Sequence, residues 1–218
     1  MERRVCRGAA GPVTVLPADP SDHQEVDHRV ANSLQLITAL LSLQAQRSPD
    51  PMLRDALTAA MHRVTAIGSV HRQLCQSGSP GSIDIASYLV DLAVGLEQGG
   101  RGGCRQVYVH AEPVLVPASF ASILGILVTE LVMNALKHAY APGGPGDVDI
   151  CLFFPSASDF WMEVRDYGQA STGPETPHHA GLGTDIINVM SRRLQATHCL
   201  RRDDQGMRFS IRGKVPVA

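Results

Sequence analysis

The feature that most restricts this chain is a spacing. Leu53, Leu57, Ala60, Val64, Ile67, His71 and Leu74 recur at intervals of 4, 3, 4, 3, 4 and 3, the seam of a helix that packs as in a coiled coil. Upstream, over residues 22–47, apolar residues at 26, 30, 34, 37 and 41, flanked by 36, 40 and 43, form a broad stripe of helical period. RSPDPM breaks the chain between the two stretches, with Asp50 and Pro51 as N-cap and first-turn pair. Two long amphipathic helices with so short a turn form an antiparallel hairpin. Alone, such a hairpin leaves much of its apolar face in water, so the sequence predicts half of a dimeric four-helix bundle.

The pattern changes after QSGSPGS at 76–82, which reads as a linker. IDIASYLVDLAVGL is expected to be helical, RQVYVHAE and PVLVP to be strands, and residues 118–140 a long helix. DVDICLFF and FWMEVRD follow as strands, then a Gly/Pro/His-rich loop over 167–181, a helix over 182–195, and the closing strands THCLRRD and MRFSIRG. Strands lie both before and between helices, which predicts an α+β sandwich. The expected division is a leader over 1–21, a helical hairpin over 22–77 and a sandwich domain over 82–214.

Composition removes several functional classes. The chain has 218 residues, 44% of them hydrophobic and 18% charged, with a formal net charge of −2. That size supports a proper core, and the lack of basic excess argues against a nucleic-acid partner. The five cysteines are scattered without a CxxC pair, as expected for reduced thiols rather than a disulfide frame or a zinc site. The run from Ile123 to Val128 is interrupted by Gly125 and is too short for a bilayer, and no signal peptide is visible at the start. The expectation is a cytoplasmic protein with no membrane association. No separate sensory domain is expected ahead of residue 25, and the signal is then expected through a bound upstream sensor protein or another subunit.

Four groups of residues can carry chemistry. His28, Asn32, Gln35, Ala39, Ser42 and Gln46 fall on one polar side of the first helix, so His28 offers an accessible imidazole, a fair nucleophile near neutral pH. In TELVMNALKHAY, Glu130, Asn134 and Lys137 share a helix face with His138 beside them. An amide oxygen and a carboxylate suit a hard cation such as Mg²⁺, and a lysine one turn on suits phosphate. In EVRDYGQA, Asp166 ends a strand before a turn at Gly168 and can accept a hydrogen bond from an exocyclic amine such as that of adenine. In HHAGLGTDII, Gly181 and Gly183 flank Leu182 ahead of a helix whose first N–H groups can bind an anion. His178 and His179 lack a third ligand for a metal.

Taken in order, these segments resemble a two-component sensor histidine kinase with a GHKL-type ATPase domain, the α/β sandwich shared with gyrase and Hsp90. HRVANSLQLITALLSLQ is similar to the phosphoacceptor helix reading H-R-V-x-N-x-L-Q, ELVMNALKHAY to the asparagine box, and GLGTDIINVMSRRL to the second glycine box. WMEV at 161–164 resembles the W-x-E motif of the related HWE kinases, although Thr129 stands where those proteins place a histidine.

The resemblance implies that His28 is phosphorylated from ATP and that Arg29 and Asn32 orient the phosphoryl group. It implies that Asn134 holds Mg²⁺ with Glu130 assisting indirectly. Lys137 would contact the phosphates, with His138 also in the nucleotide site. Asp166 would read the adenine amine with Gly168 permitting the turn, and Gly181, Leu182 and Gly183 would form the lid. The implied partners are a second copy of the chain and the receiver domain of a response regulator, whose aspartate takes the phosphoryl group. Two departures stand out: Ala170 replaces the second glycine of D-x-G-x-G, and Gln195-Ala196 replaces a glycine turn. They keep open an alternative, a non-catalytic histidine phosphotransfer or scaffold protein with a degenerate ATP domain. An anti-sigma-type serine kinase is a third reading, but it leaves the hairpin unexplained.

Overall fold

The computed structural model describes residues 20–76, 81–99, 105–141, 144–168 and 182–216. Helix α1 (Pro20–Arg47) and helix α2 (Pro51–Gln76) form the expected antiparallel hairpin. Asp50 caps α2, its Oδ1 accepting from the Met52 N–H at 2.9 Å. Small residues let the helices approach: a Cβ on Gly68 would lie 3.6 Å from the Leu34 Cβ. Leu36, Leu40 and Leu43 remain 63%, 53% and 43% exposed, an apolar face that none of the described residues covers.

Helix α2 has a second face, and there the structure corrects the periodicity. The seam residues Leu57, Ala60, Val64 and Ile67 are only half-buried. The buried residues are instead His62, Ala66, Gly68, Ser69 and Val70. Ala66 and Val70 belong to the same hydrophobic core as the second half of the chain. Period-counting follows large apolar side chains, whereas this contact is made by small residues that admit a neighbouring helix closely.

The second half begins with strand β1 (Ser82–Asp84) and helix α3 (Ile85–Gly99). The apolar run from Ile83 thus starts as a strand rather than a helix. Asp84 marks the change: its carboxylate accepts from the Ala86 N–H at 3.1 Å and the Ser87 hydroxyl at 2.8 Å, the pattern of an N-cap. Strand β2 (Arg105–Ala111), strand β3 (Leu115–Pro117) and helix α4 (Ala118–His138) follow. Strands β4 (Gly146–Ser156) and β5 (Asp159–Asp166), helix α5 (Leu182–Arg193), and strands β6 (Thr197–Asp203) and β7 (Gly206–Lys214) complete the chain. The main sheet has the order β2-β4-β5-β7-β6, and β1 pairs with β3 apart from it. β2 runs parallel to β4 and the other pairings are antiparallel.

Strand alternation builds the sandwich. Along β5, Phe160, Met162, Val164 and Asp166 are buried, while Trp161, Glu163 and Arg165 take the other face. Phe160 meets Phe120 of α4 edge-on with centroids 5.1 Å apart. By length and composition α4 is apolar enough to cross a membrane, contrary to the expectation from its broken apolar run, but 67% of that window is buried within the protein. After α5 the chain turns through Gln195 at φ 50°, where the sequence lacks the usual glycine, so a side chain stands in a conformation that disfavours one.

Candidate functional site

His28, Arg29 and Asn32 lie on α1 and are exposed, as are Gln35, Ala39 and Gln46 on the same row. The imidazole of His28 is therefore reachable from outside the hairpin. Its neighbour Asp27 instead turns inward, its Oδ1 lying 2.9 Å from Nδ1 of His71 on α2. That contact fixes the level of His28 along the hairpin.

The asparagine-box residues occupy the C-terminal half of α4. Glu130 is 6% exposed and is gripped in bidentate fashion by Arg63 of α2, Nε to Oε1 at 2.5 Å and Nη2 to Oε2 at 2.9 Å. Lys137 Nζ lies 3.6 Å from Asp55 Oδ2, also on α2. Between these contacts, Nδ1 of buried His62 stands 3.1 Å from the Met133 sulfur. Burial first, and then the charge of Lys137, push the His62 pKa below its ordinary value against the opposing pull of Glu130. Asn134 is half-buried and His138 is exposed at the helix end.

Asp166, 3% exposed, is held at the end of β5 by backbone. Its Oδ1 accepts from the Gly168 N–H at 3.1 Å and from the Met207 N–H at 3.2 Å. Among the described residues only Oδ1 accepts a hydrogen bond, which leaves Oδ2 for a further donor. The turn after it needs glycine, because a Cβ on Gly168 would overlap the Ala139 carbonyl at the end of α4. Gly206, at φ 121°, gives the Asp166 backbone the same close approach from the β6–β7 turn. Tyr140 ties the corner together, its hydroxyl accepting from the Tyr167 N–H at 2.9 Å and donating to the Asp147 carbonyl.

Helix α5 brings the third box to the same place. A Cβ on Gly183 would lie 3.3 Å from Glu130 Oε2 and 3.6 Å from Asn134 Nδ2. Two of the three sequence-predicted glycines, Gly168 and Gly183, thus pack at the C-terminal end and C-terminal half of α4, where Glu130 and Asn134 project. Leu182 opens α5, while Gly181, Ala170, His178 and His179 lie outside the described residues. Among the described residues no cluster of His, Cys, Asp or Glu forms a ready metal cage.

Sequence reasoning missed Arg63, Asp55 and Tyr140. The arginine left no signal of its own, because a charged residue on an amphipathic helix reads as solvated until the docking partner is known. Tyr140 stood at the end of the asparagine box, and its position one turn before a glycine-rich corner was a usable hint. Trp161 stacks on Phe153 at 5.7 Å and Glu163 lies 3.5 Å from Arg208, so the W-x-E pair sits on the sheet face opposite α4.

Comparison with known proteins gives consistent results. The family model HisKA_2, described as histidine kinase, matches residues 25–98. Blue-light-activated histidine kinase 2 of Erythrobacter litoralis is 26% identical over 194 residues, covering 86% of this chain and 55% of that protein. The sensor histidine kinase PdtaS of Mycobacterium tuberculosis is 33% identical over 155 residues, covering 65% of this chain and 28% of that protein. The chain therefore spans about half or less of the length of the curated relatives it matches. Among solved structures, the histidine kinase domain of the Erythrobacter litoralis EL346 blue-light activated kinase superposes with a TM-score of 0.64 at 22% identity, covering 90% of this chain and 95% of that one.

Proposed function

We propose that this chain, whose residues 25–98 match the histidine kinase family model, phosphorylates itself on His28 from Mg-ATP and hands the phosphoryl group to an aspartate of a response-regulator receiver domain. The observation that carries this reading is the convergence of Asn134, Asp166 and Gly183, far apart in sequence, on one end of α4, combined with an exposed imidazole on α1.

The residues divide the work. The open oxygen of Asp166 accepts the adenine amine while its partner oxygen is fixed by the Gly168 and Met207 N–H groups. Asn134 presents a half-buried amide without a hydrogen-bond partner among the described residues, beside a glycine cradle that a side chain would fill. That donor fits a hard cation bound through oxygen. Glu130 fits only indirectly, since Arg63 already takes both its oxygens. When bound, Mg²⁺ would neutralise phosphate charge. Lys137, and the N–H groups of the first turn of α5, would add fixed positive potential at the phosphates.

At His28, an imidazole nitrogen attacks the γ-phosphorus as the bond to the β-phosphate oxygen breaks. ADP leaves, an N–P bond forms, and the ring gives up a proton to solvent. Phosphoryl transfer of this kind depends on positioning and charge more than on covalent assistance. Arg29 and Asn32 lie within the first turns around His28 and are proposed to orient the group for both transfers. The uncovered leucines of α1 support a homodimer whose four helices form the bundle. In that reading the protein works in the cytoplasm.

Incubation with γ-labelled ATP and Mg²⁺ tests the proposal. Acid-labile label is expected on the wild type and none on His28→Gln. Label that persists in His28→Gln would overturn it, and a wild type that neither binds Mg-ATP nor labels would favour the phosphotransfer alternative.

A further inference from the structure

Resting on the nucleotide reading above, we infer that Arg63 gates the nucleotide site: its grip on Glu130 holds the sheet domain docked on the hairpin, and Mg-nucleotide must displace it. Loading and undocking then become one event.

The first ground is occupancy. Both oxygens of Glu130 are bound by a guanidinium from the hairpin, at the spot where Gly183 and Asn134 meet. A cation near Asn134 would face the positive charge of Arg63 across a short distance. The two cannot share Glu130 without one yielding.

A second contact acts in the same sense. Lys137, the residue assigned to phosphates, points to Asp55 on the same face of α2, at 3.6 Å. An anion arriving at the site competes with Asp55 for this ammonium. Both charges of α4 that the nucleotide would use are therefore turned toward the hairpin.

The third ground is distance. His28 sits at the level of His71, through the Asp27 contact, whereas Glu130 sits at the level of Arg63 and Lys137 at that of Asp55. At about 1.5 Å of rise per residue, those levels lie roughly 12 and 24 Å along α2 from His71. Transfer needs the reacting atoms about 3–3.5 Å apart. The docked arrangement therefore keeps the asparagine box away from the chain's own His28, and the α2–α4 contact must open for delivery within one chain. A partly buried carboxylate does not give up its cation without a replacement. A Mg²⁺ held at Asn134 would supply that charge through its own water shell, in keeping with an indirect role for Glu130.

The test measures binding of Mg²⁺ with a non-hydrolysable ATP analogue to the full chain by calorimetry, alongside small-angle scattering. Arg63→Gln is expected to bind at least about 5-fold more tightly than wild type, the low end of coupling between linked equilibria. Its scattering should be as expanded without the analogue as that of wild type with it. Arg63→Lys, which keeps the charge but not the fork, should fall between them. Asp55→Asn, whose side chain is 71% exposed and so leaves folding intact, should gain roughly 2-fold, as for an exposed ion pair. It carries the test if Arg63→Gln does not fold. Unchanged or weaker binding in both variants, with Asp166→Ala losing it, would overturn the gate while leaving the nucleotide site standing. Absence of binding in wild type and every variant would instead overturn the nucleotide reading, and the gate with it.

Discussion

The hydroxyl of Tyr88 donates to the carbonyl oxygen of Ala66 at 3.0 Å, so a side chain of α3 is anchored on the backbone of α2. The same ring lies over Gly125 of α4, where an added Cβ would overlap its hydroxyl and ring carbons. Three helices meet at this tyrosine. Gly125→Ala is expected to destabilise the fold by about 1–3 kcal/mol through overpacking, and Tyr88→Phe by about 1 kcal/mol through loss of one buried hydrogen bond. Urea denaturation followed by circular dichroism measures both, and a Gly125→Ala midpoint equal to that of wild type would contradict this packing.

The carboxylate of Asp166 ties β5 to the start of β7 as well as facing the cleft. Asp166→Ala leaves the Gly168 and Met207 N–H groups without their acceptor, an expected loss of about 2–4 kcal/mol in unfolding free energy. Nucleotide affinity should fall further than that of Lys137→Ala. An Asp166→Ala protein as stable as wild type would show that water or backbone replaces the carboxylate freely.

His62 makes stability depend on pH. Its folded pKa is held below the ordinary 6.5, so on acidification the unfolded chain takes up this proton first. The contribution is complete above about pH 6.5 and declines as pH falls below it. The thermal midpoint of wild type should therefore drop from pH 7 to pH 5.5 more than that of His62→Gln. Parallel profiles would remove His62 as the cause.

The turn after α5 offers a stabilising change. Gln195 stands at φ 50°, which costs a side-chain-bearing residue about 1–2 kcal/mol that glycine avoids. Glycine loses part of this gain through its greater freedom when unfolded. Gln195→Gly should therefore raise stability by about 0.5–1 kcal/mol, read as a higher urea midpoint at unchanged slope.

The apolar face of α1 predicts its own assembly. Leu36→Glu with Leu40→Glu should turn a dimer into a monomer by light scattering, with helical content largely kept, because these side chains are already exposed in the single chain. A wild type that is monomeric throughout the micromolar range would contradict the bundle.

The legible part of this molecule was periodic or punctuated. The two helices of the hairpin, the cap at Asp50, the strand that ends in Asp166 and the glycine that lets it turn all leave local marks in the residues themselves. Ile83 was misread because a short apolar run does not distinguish strand from helix, and the cap at Asp84 was the mark that separates them. The pairing of Arg63 with Glu130 had no local mark at all. It arises from where two helices bring together residues 67 positions apart, which depends on the small residues Ala66, Gly68 and Ser69 rather than on any charge pattern. The glycines at Gly168 and Gly183 were recognised as turn and lid, yet what they approach, Ala139 in one case and Glu130 in the other, became visible only with the helices in place.

The second half of the chain borrows α2 for its own core. Severing the backbone between Gln76 and Ser82 would remove a covalent link and none of the contacts through Ala66, Val70 and Tyr88. Two separately made pieces, one ending after α2 and one starting at β1, should find each other and copurify like the halves of a split reporter. The sheet piece made alone should be sticky, since it would show water the surface that α2 normally covers.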